Sequence, residues 1–145
     1  MRILKPKDPH PHFLNVDLDI YSKSDLQPLV IALGDRVFVL YLGRPRRTFE
    51  AHLEVSKLIG SPESTIREFC KLIQKLPRPA KRLWDGAKIR RFDVGIDSVP
   101  KGTYWFEISK ETVAEVAKLH ATIAVTVYGK LRKAKPPKKS SARNR

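Results

Sequence analysis

The chain has 145 residues, a net charge of +14, 41% apolar and 30% charged side chains, and one cysteine. That length suits a single domain that buries its own core. One cysteine excludes an internal disulfide and points to a reducing, cytosolic compartment. No stretch approaches the roughly 18 apolar residues of a membrane span, and the opening "MRILKPKDPHPHF" has no apolar run of the kind a secretory signal carries.

Residues 1–12 mix charges with Pro6, Pro9 and Pro11, a composition for an extended lead-in. In "FLNVDLDIY", Leu14, Val16, Leu18 and Ile20 alternate with Asn15, Asp17, Asp19 and Tyr21, the pattern of a half-buried strand. "SKSDLQPLVIALG" predicts a short helix with Ser24 as N-cap, Pro28 in the first turn and Gly34 as its left-handed stop. "DRVFVLYLG" is apolar on both faces, which places it in the middle of a sheet. "RPRR" turns the chain, and "TFEAHLEV" alternates Phe49, Ala51, Leu53 and Val55 with Glu50, His52 and Glu54, so the two strands form a hairpin.

The clearest helix is "GSPESTIREFCKLIQKLP". Ser61 caps it, Pro62 takes its first position, Ile66, Phe69, Cys70, Ile73 and Leu76 form one apolar stripe, and Pro77 stops it. "RPAKRLWDGA" reads as a second short helix ending near Gly86, with Leu83 and Trp84 inward. "KIRRFDVGID" alternates Phe92, Val94 and Ile96 inward with Arg91, Asp93 and Asp97 outward, and "TYWFEI" reads as a further strand. Ser109 caps a helix whose Val113, Val116 and Leu119 face the core, and "ATIAVTVY" closes the domain as a strand before Gly129. The order predicts an α+β two-layer sandwich over residues 13–129, with a mainly antiparallel sheet of about six strands and helices on one face. Residues 130–145 have the composition of a disordered basic tail.

Chemistry has few places to reside. If the strands carrying Asp17 and Asp19 and those carrying Asp93 and Asp97 were adjacent, four carboxylates would converge as oxygen ligands for a divalent cation. The nearby Lys23, Arg90 and Arg91 favour solvated cross-strand charge pairs instead. His52, between Glu50 and Glu54, has the setting of a general base, but no nucleophile accompanies it. His10 and His12 supply two metal ligands where a structural site needs four, and His120 suits a helix C-terminus. Cys70, Trp84 and Trp105 lie in apolar stretches and are expected in the core. Neither a glycine-rich phosphate loop nor a cofactor motif is present, so no catalytic residue, metal or cofactor is expected.

The charge is lopsided. Lys130, Arg132, Lys133, Lys135, Lys138, Lys139, Arg143 and Arg145 contribute eight of the +14, which leaves +6 for residues 1–129. Further basic groups cluster as Arg44, Arg46 and Arg47, as Arg78, Lys81 and Arg82, and as Lys88, Arg90 and Arg91. Arginine forks at loop tips suit phosphate, and no base-reading motif accompanies them. The expected function is a non-enzymatic module that binds nucleic acid or another polyanion without sequence preference, through the tail and Arg44, Arg46 and Arg47. The alternative is a protein partner held by the mixed acidic sheet face.

Residues 13–128, including "NVDLDIYSKSDLQPLVIALGDRVFVLYLG", "TIREFCKLIQKLPRPAKRLWDGA" and "FDVGI", resemble a set of uncharacterised bacterial proteins. "FEISKETVAEVAKLHATIAVTVY" is similar to the end of a domain-of-unknown-function family sometimes linked to toxin immunity. The resemblance implies a bacterial cytoplasmic α+β domain and an immunity-like inhibitor as the protein-binding alternative. It brings no catalytic residues.

Overall fold

The structure is a computed structural model that describes residues 10–98 and 102–129. The predicted tail and most of the lead-in lie outside these residues. In chain order the elements are β1 (His12–Ser22), α1 (Gln27–Leu33) with a 3-10 turn (Gly34–Arg36), β2 (Val37–Gly43), β3 (Phe49–Val55), α2 (Pro62–Gln74), α3 (Arg78–Asp85), β4 (Ile89–Asp97), α4 (Lys110–Lys118) and β5 (Thr122–Tyr128). The five strands form one mixed sheet in the order β2-β3-β1-β4-β5. All neighbours are antiparallel except β4 and β5, which are parallel and joined through α4. A parallel pair needs such a crossover.

The core follows the two periodicities of the sequence. Val16, Leu18 and Ile20 of β1, Ala51 and Leu53 of β3, and Phe92, Val94 and Ile96 of β4 are buried with Ile66, Phe69, Cys70 and Ile73 of α2. Phe69 meets Phe92 with ring centroids 5.6 Å apart. Trp84 is fully buried, and its indole N–H donates to the Leu119 carbonyl at 3.0 Å. A buried indole needs such an acceptor. Gly34 follows α1 at φ 62° but ψ −139°, a positive-φ conformation open to glycine that is not the left-handed helical one expected.

Several expectations are corrected. The sheet has five strands rather than six, because residues 103–108 form no ladder. Both sides of β4 are already taken, by β1 and β5. Tyr104, Phe106 and Ile108 still turn toward the core, so Trp105 between them is 76% exposed instead of buried. β2 lies at an edge rather than in the middle. A bulge between Phe13 and Asn15 brings Phe13 to the core and leaves Leu14 exposed. Ser24 does not cap α1; the Asp25 carboxylate accepts from the Gln27 N–H at 2.9 Å in its place. Thr112 takes the buried position on α4 that Val113 was expected to hold, and Val113 is exposed.

The reason for the α4 difference is a side-chain staple. The Glu63 carboxylate, at the start of α2, accepts from the Ser109 N–H (2.9 Å), the Ser109 hydroxyl (2.7 Å) and the Thr112 hydroxyl (2.5 Å). Ser109 in turn caps α4 by accepting from the Thr112 N–H. Burial alone would raise the Glu63 pKa, but these hydrogen bonds outweigh it and hold the carboxyl below its usual range. A lowered folded-state pKa means that the stabilisation is present at neutral pH and lost as pH falls through that value. Replacing Glu63 with Ala is expected to cost about 1–3 kcal/mol at pH 7 and less in acid, read from urea denaturation at both pH values.

Candidate functional site

The side of the sheet away from the buried set carries most of the candidate residues. Alternation places Asn15, Asp17, Asp19 and Tyr21 of β1 there, and the register sets Asp17 opposite Asp93 and Asp19 opposite both Arg91 and His52. β1 and the strand of Asp93 are therefore adjacent, the condition under which the carboxylates could have converged. Asp97 is apart from the others, at the end of β4, where it faces His12 at 3.7 Å.

Two networks divide this face. In the first, His52 bridges Asp19 (Nδ1 to Oδ1, 2.6 Å) and Glu50 (Nε2 to Oε1, 3.3 Å), and Arg91 donates to the second oxygen of Asp19 at 3.3 Å. Burial opposes a charge on His52, but its hydrogen bonds to Asp19 and Glu50 and their charges outweigh it and raise its pKa. Both ring nitrogens are committed to carboxylates, which removes the free nitrogen a general base needs. Tyr21 and Tyr41 pack around the imidazole at 5.7 and 6.0 Å.

The second network is acidic. Asn15 donates to Asp17 at 3.0 Å and also to Glu54, and Thr126 donates to Asp93 at 2.8 Å. Burial, then the charges of Glu54, Asp19 and Asp93, push the Asp17 carboxyl up to about 6. The pairing of Asp17 with Glu54 becomes visible only once β1 and β3 are set side by side. Among the described residues, no three of His, Cys, Asp and Glu are placed to hold a metal ion.

A groove of about 800 Å³ runs between α2 and α4 and is lined by Glu63, Arg67, Cys70, Lys71, Gln74 and Glu115, among others. Burial pushes the Cys70 thiol up to about 11, so it stays protonated and unreactive. Cys70 is a core residue, as expected.

The basic groups are sorted by the fold. The row Ile89, Tyr21, Glu50, Gly43, with only the Ser22–Phe49 pair past it, marks the end of the sheet where β1 and β2 finish and β3 and β4 begin. Just beyond that row stand Lys23, Arg44, Arg46, Arg47 and Lys88, all exposed. Among the described residues none of the five makes an ion pair, although Arg44 lies over the Phe49 ring at 4.9 Å. Arg90 and Arg91 leave the candidate set. Arg90 donates to the carbonyls of Trp84, Asp85, Ala87 and His120, closing the end of α3, and Arg91 serves Asp19. Arg78 and Arg82 are exposed on α3, while Lys81 pairs with Asp85 at 2.8 Å. Lys130, Arg132, Lys133, Lys135, Lys138, Lys139, Arg143 and Arg145 lie outside the described residues. Gly129, which precedes them, follows the opposite end of the sheet, where Tyr128 faces Asp97.

The raised pKa of Asp17 has a definite sign. A carboxyl that holds its proton more tightly when folded stabilises the fold below its unfolded pKa, and that stability is lost as pH rises through about 6. His52 acts in the same direction, because its folded-state pKa is also raised. Asp17→Asn is therefore expected to stabilise the domain at pH 7 by about 1–2 kcal/mol and to flatten the decline in stability between about pH 4 and 7. Thermal unfolding followed across that range checks both.

No family model, curated protein or solved structure matches the chain.

Proposed function

We propose that this protein is a non-enzymatic module that grips the phosphates of nucleic acid or a similar polyanion, using the basic end of its sheet together with residues 130–145. The observation that carries this reading is the convergence of Lys23, Arg44, Arg46, Arg47 and Lys88 from three separate connections onto one end of the sheet, with no ion pair to any of them among the described residues. Neighbouring strands lie about 4.8 Å apart, so the span from β2 to β4 is roughly 14 Å. At about 3.4 Å of rise per nucleotide along a strand, that span covers several phosphates. Arginine forks meet phosphate through two parallel hydrogen bonds, independent of base identity. In this reading the domain is a two-layer sandwich with its helices on one face, working in a cytoplasmic compartment where nucleic acid is at hand.

A protein partner is the second reading, in the manner of an immunity-like inhibitor. It is favoured by the exposed run Phe38, Val39, Leu40, Tyr41 and Leu42, an apolar surface of the kind that marks protein contacts.

The test is the salt dependence of binding to a labelled duplex and a labelled single strand. Each phosphate engaged on a duplex contributes about 0.9 to the log-log slope, so stopping the chain at Gly129 is expected to lower the slope by up to roughly 6 to 7. Reversing Arg44, Arg46 and Arg47 to Glu in the full chain is expected to lower affinity by at least about tenfold and the slope by about 3. Absence of binding near physiological salt by the full chain would overturn the polyanion reading.

A further inference from the structure

One row on the side of the sheet away from the buried set crosses all five strands. Asp93 lies opposite Ala124 and Asp17, Asn15 ties Asp17 to Glu54, and Glu54 lies opposite Phe38. Its three carboxylates make no ion pair among the described residues. Their hydrogen bonds come from Asn15 and Thr126, which carry no charge. Aromatic rings flank the row. Phe38 and Tyr41 face Glu54 and His52 across the ladder, and Tyr128 stands two positions beyond Thr126, on the same side. All three rings are between 42% and 57% exposed. Carboxylates set among rings suit an extended run of lysine and arginine, whose cations meet the acids while their stems lie on the rings.

β5 delivers the chain to this same side. Gly95 leaves space there, because a Cβ at that position would stand 3.0 Å from Asn15 Oδ1 and 3.4 Å from Tyr128 Cε2. The ring of the last strand residue thus lies beside Asn15, which holds Asp17 and Glu54 together. Burial, then the charges of Asp93, Asp17 and Asp19, raise the pKa of the Tyr128 hydroxyl, so the negative field reaches the end of β5. Residues 130–145 hold eight basic side chains and no acidic one.

We infer that residues 130–145 lie back across this sheet face of their own chain, with their basic side chains on Asp17, Glu54 and Asp93. Their reach is sufficient. Asp17 is four ladder positions back from Tyr128 and two strands across, roughly 16 Å at about 3.3 Å per residue and 4.8 Å per strand. About five extended residues cover that distance, which brings Lys133, Lys135, Lys138 and Lys139 to the row. A separate basic peptide would lose translational and rotational freedom on docking, whereas a segment already joined at Gly129 does not. The chain's own segment is therefore favoured over any other basic occupant. The contact stands without a polyanion. Where the polyanion reading also holds, the sheet face and phosphate compete for the same lysines and arginines.

The test needs no nucleic acid, so its outcome is separate from that of the polyanion reading. A nitroxide is attached to the full chain through Ser140→Cys; Cys70 is buried and keeps its proton, so it stays unlabelled. Amide line broadening then maps where the segment lies. At pH 7 and about 20 mM salt, the amides of Asp17, Asp93 and Thr126 are expected to broaden at least about threefold more than those of Arg67 and Lys71 on α2. At about 0.5 M salt the excess is expected to vanish through screening. Asp17→Asn is expected to cut the excess by about a third to a half, and its combination with Glu54→Gln and Asp93→Asn to abolish it. The single variant stands as the test if the triple one fails to fold. Equal broadening on both sides of the sheet, or an excess unchanged by salt or by Asp17→Asn, would overturn the inference. So would an excess that fades on dilution from about 300 to 30 µM, which would place the segment on a neighbouring copy.

Discussion

Burial of the inward side of β1 is the constraint on which the rest of this domain depends. Val16, Leu18 and Ile20 sit at the centre of the sheet, under α2, with β3 on one side and β4 on the other. Fully burying side chains of this kind stabilises by about 1.5–3 kcal/mol each. The period of two then leaves no choice for Asp17 and Asp19, which must stand on the opposite side. Asp19 is itself buried and is neutralised by His52 and Arg91. Asp17 is paired with no cation among the described residues and keeps a proton more readily instead. The charged face is thus a consequence of the core, and its two networks are two solutions to the same electrostatic problem.

This division also separates the acidic and basic surfaces. Asp17, Asp19 and Asp93 occupy the middle rows of the sheet and Glu50 its last, while Lys23, Arg44, Arg46, Arg47 and Lys88 stand beyond that row. A polyanion would be repelled from the middle and drawn to the end. The arginines nearest the acidic rows do structural work: Arg91 compensates Asp19, and Arg90 satisfies the carbonyls that end α3.

Much of the fold was legible from local signals. Ser61 and Ser109 cap the helices that begin after them, the stripe from Ile66 to Ile73 is buried, and the alternation in β1, β3 and β4 sorts inside from outside along nearly their whole length. What was not legible depends on which strands are neighbours. An apolar run such as "VFVLYLG" reads the same whether a partner covers its second side or not, so the edge position of β2 was hidden. The run "TYWFEI" read as a strand with Trp105 in the core, but a local apolar pattern reports neither whether a ladder position is available nor which residues turn inward, and it is Tyr104, Phe106 and Ile108 that pack on the core. The same limit applies to the site. Asp17, Asp19, Asp93 and His52 were identifiable as outward residues, but their grouping, and the exclusion of Asp97 from it, required the strand order. Arg44, Arg46 and Arg47 were recognisable from the turn alone; their company with Lys23 and Lys88 was not.

The antiparallel course of β1, β3 and β4, followed by a parallel β5, puts the arginine turn and Gly129 at diagonally opposite corners of the sheet. On the proposed reading, a polyanion held at the arginine turn lies a full sheet width from Gly129, so any contact made by residues 130–145 adds to it as a second, tethered site. Once the first contact forms, the second meets a local concentration of phosphate set by the tether rather than by bulk supply.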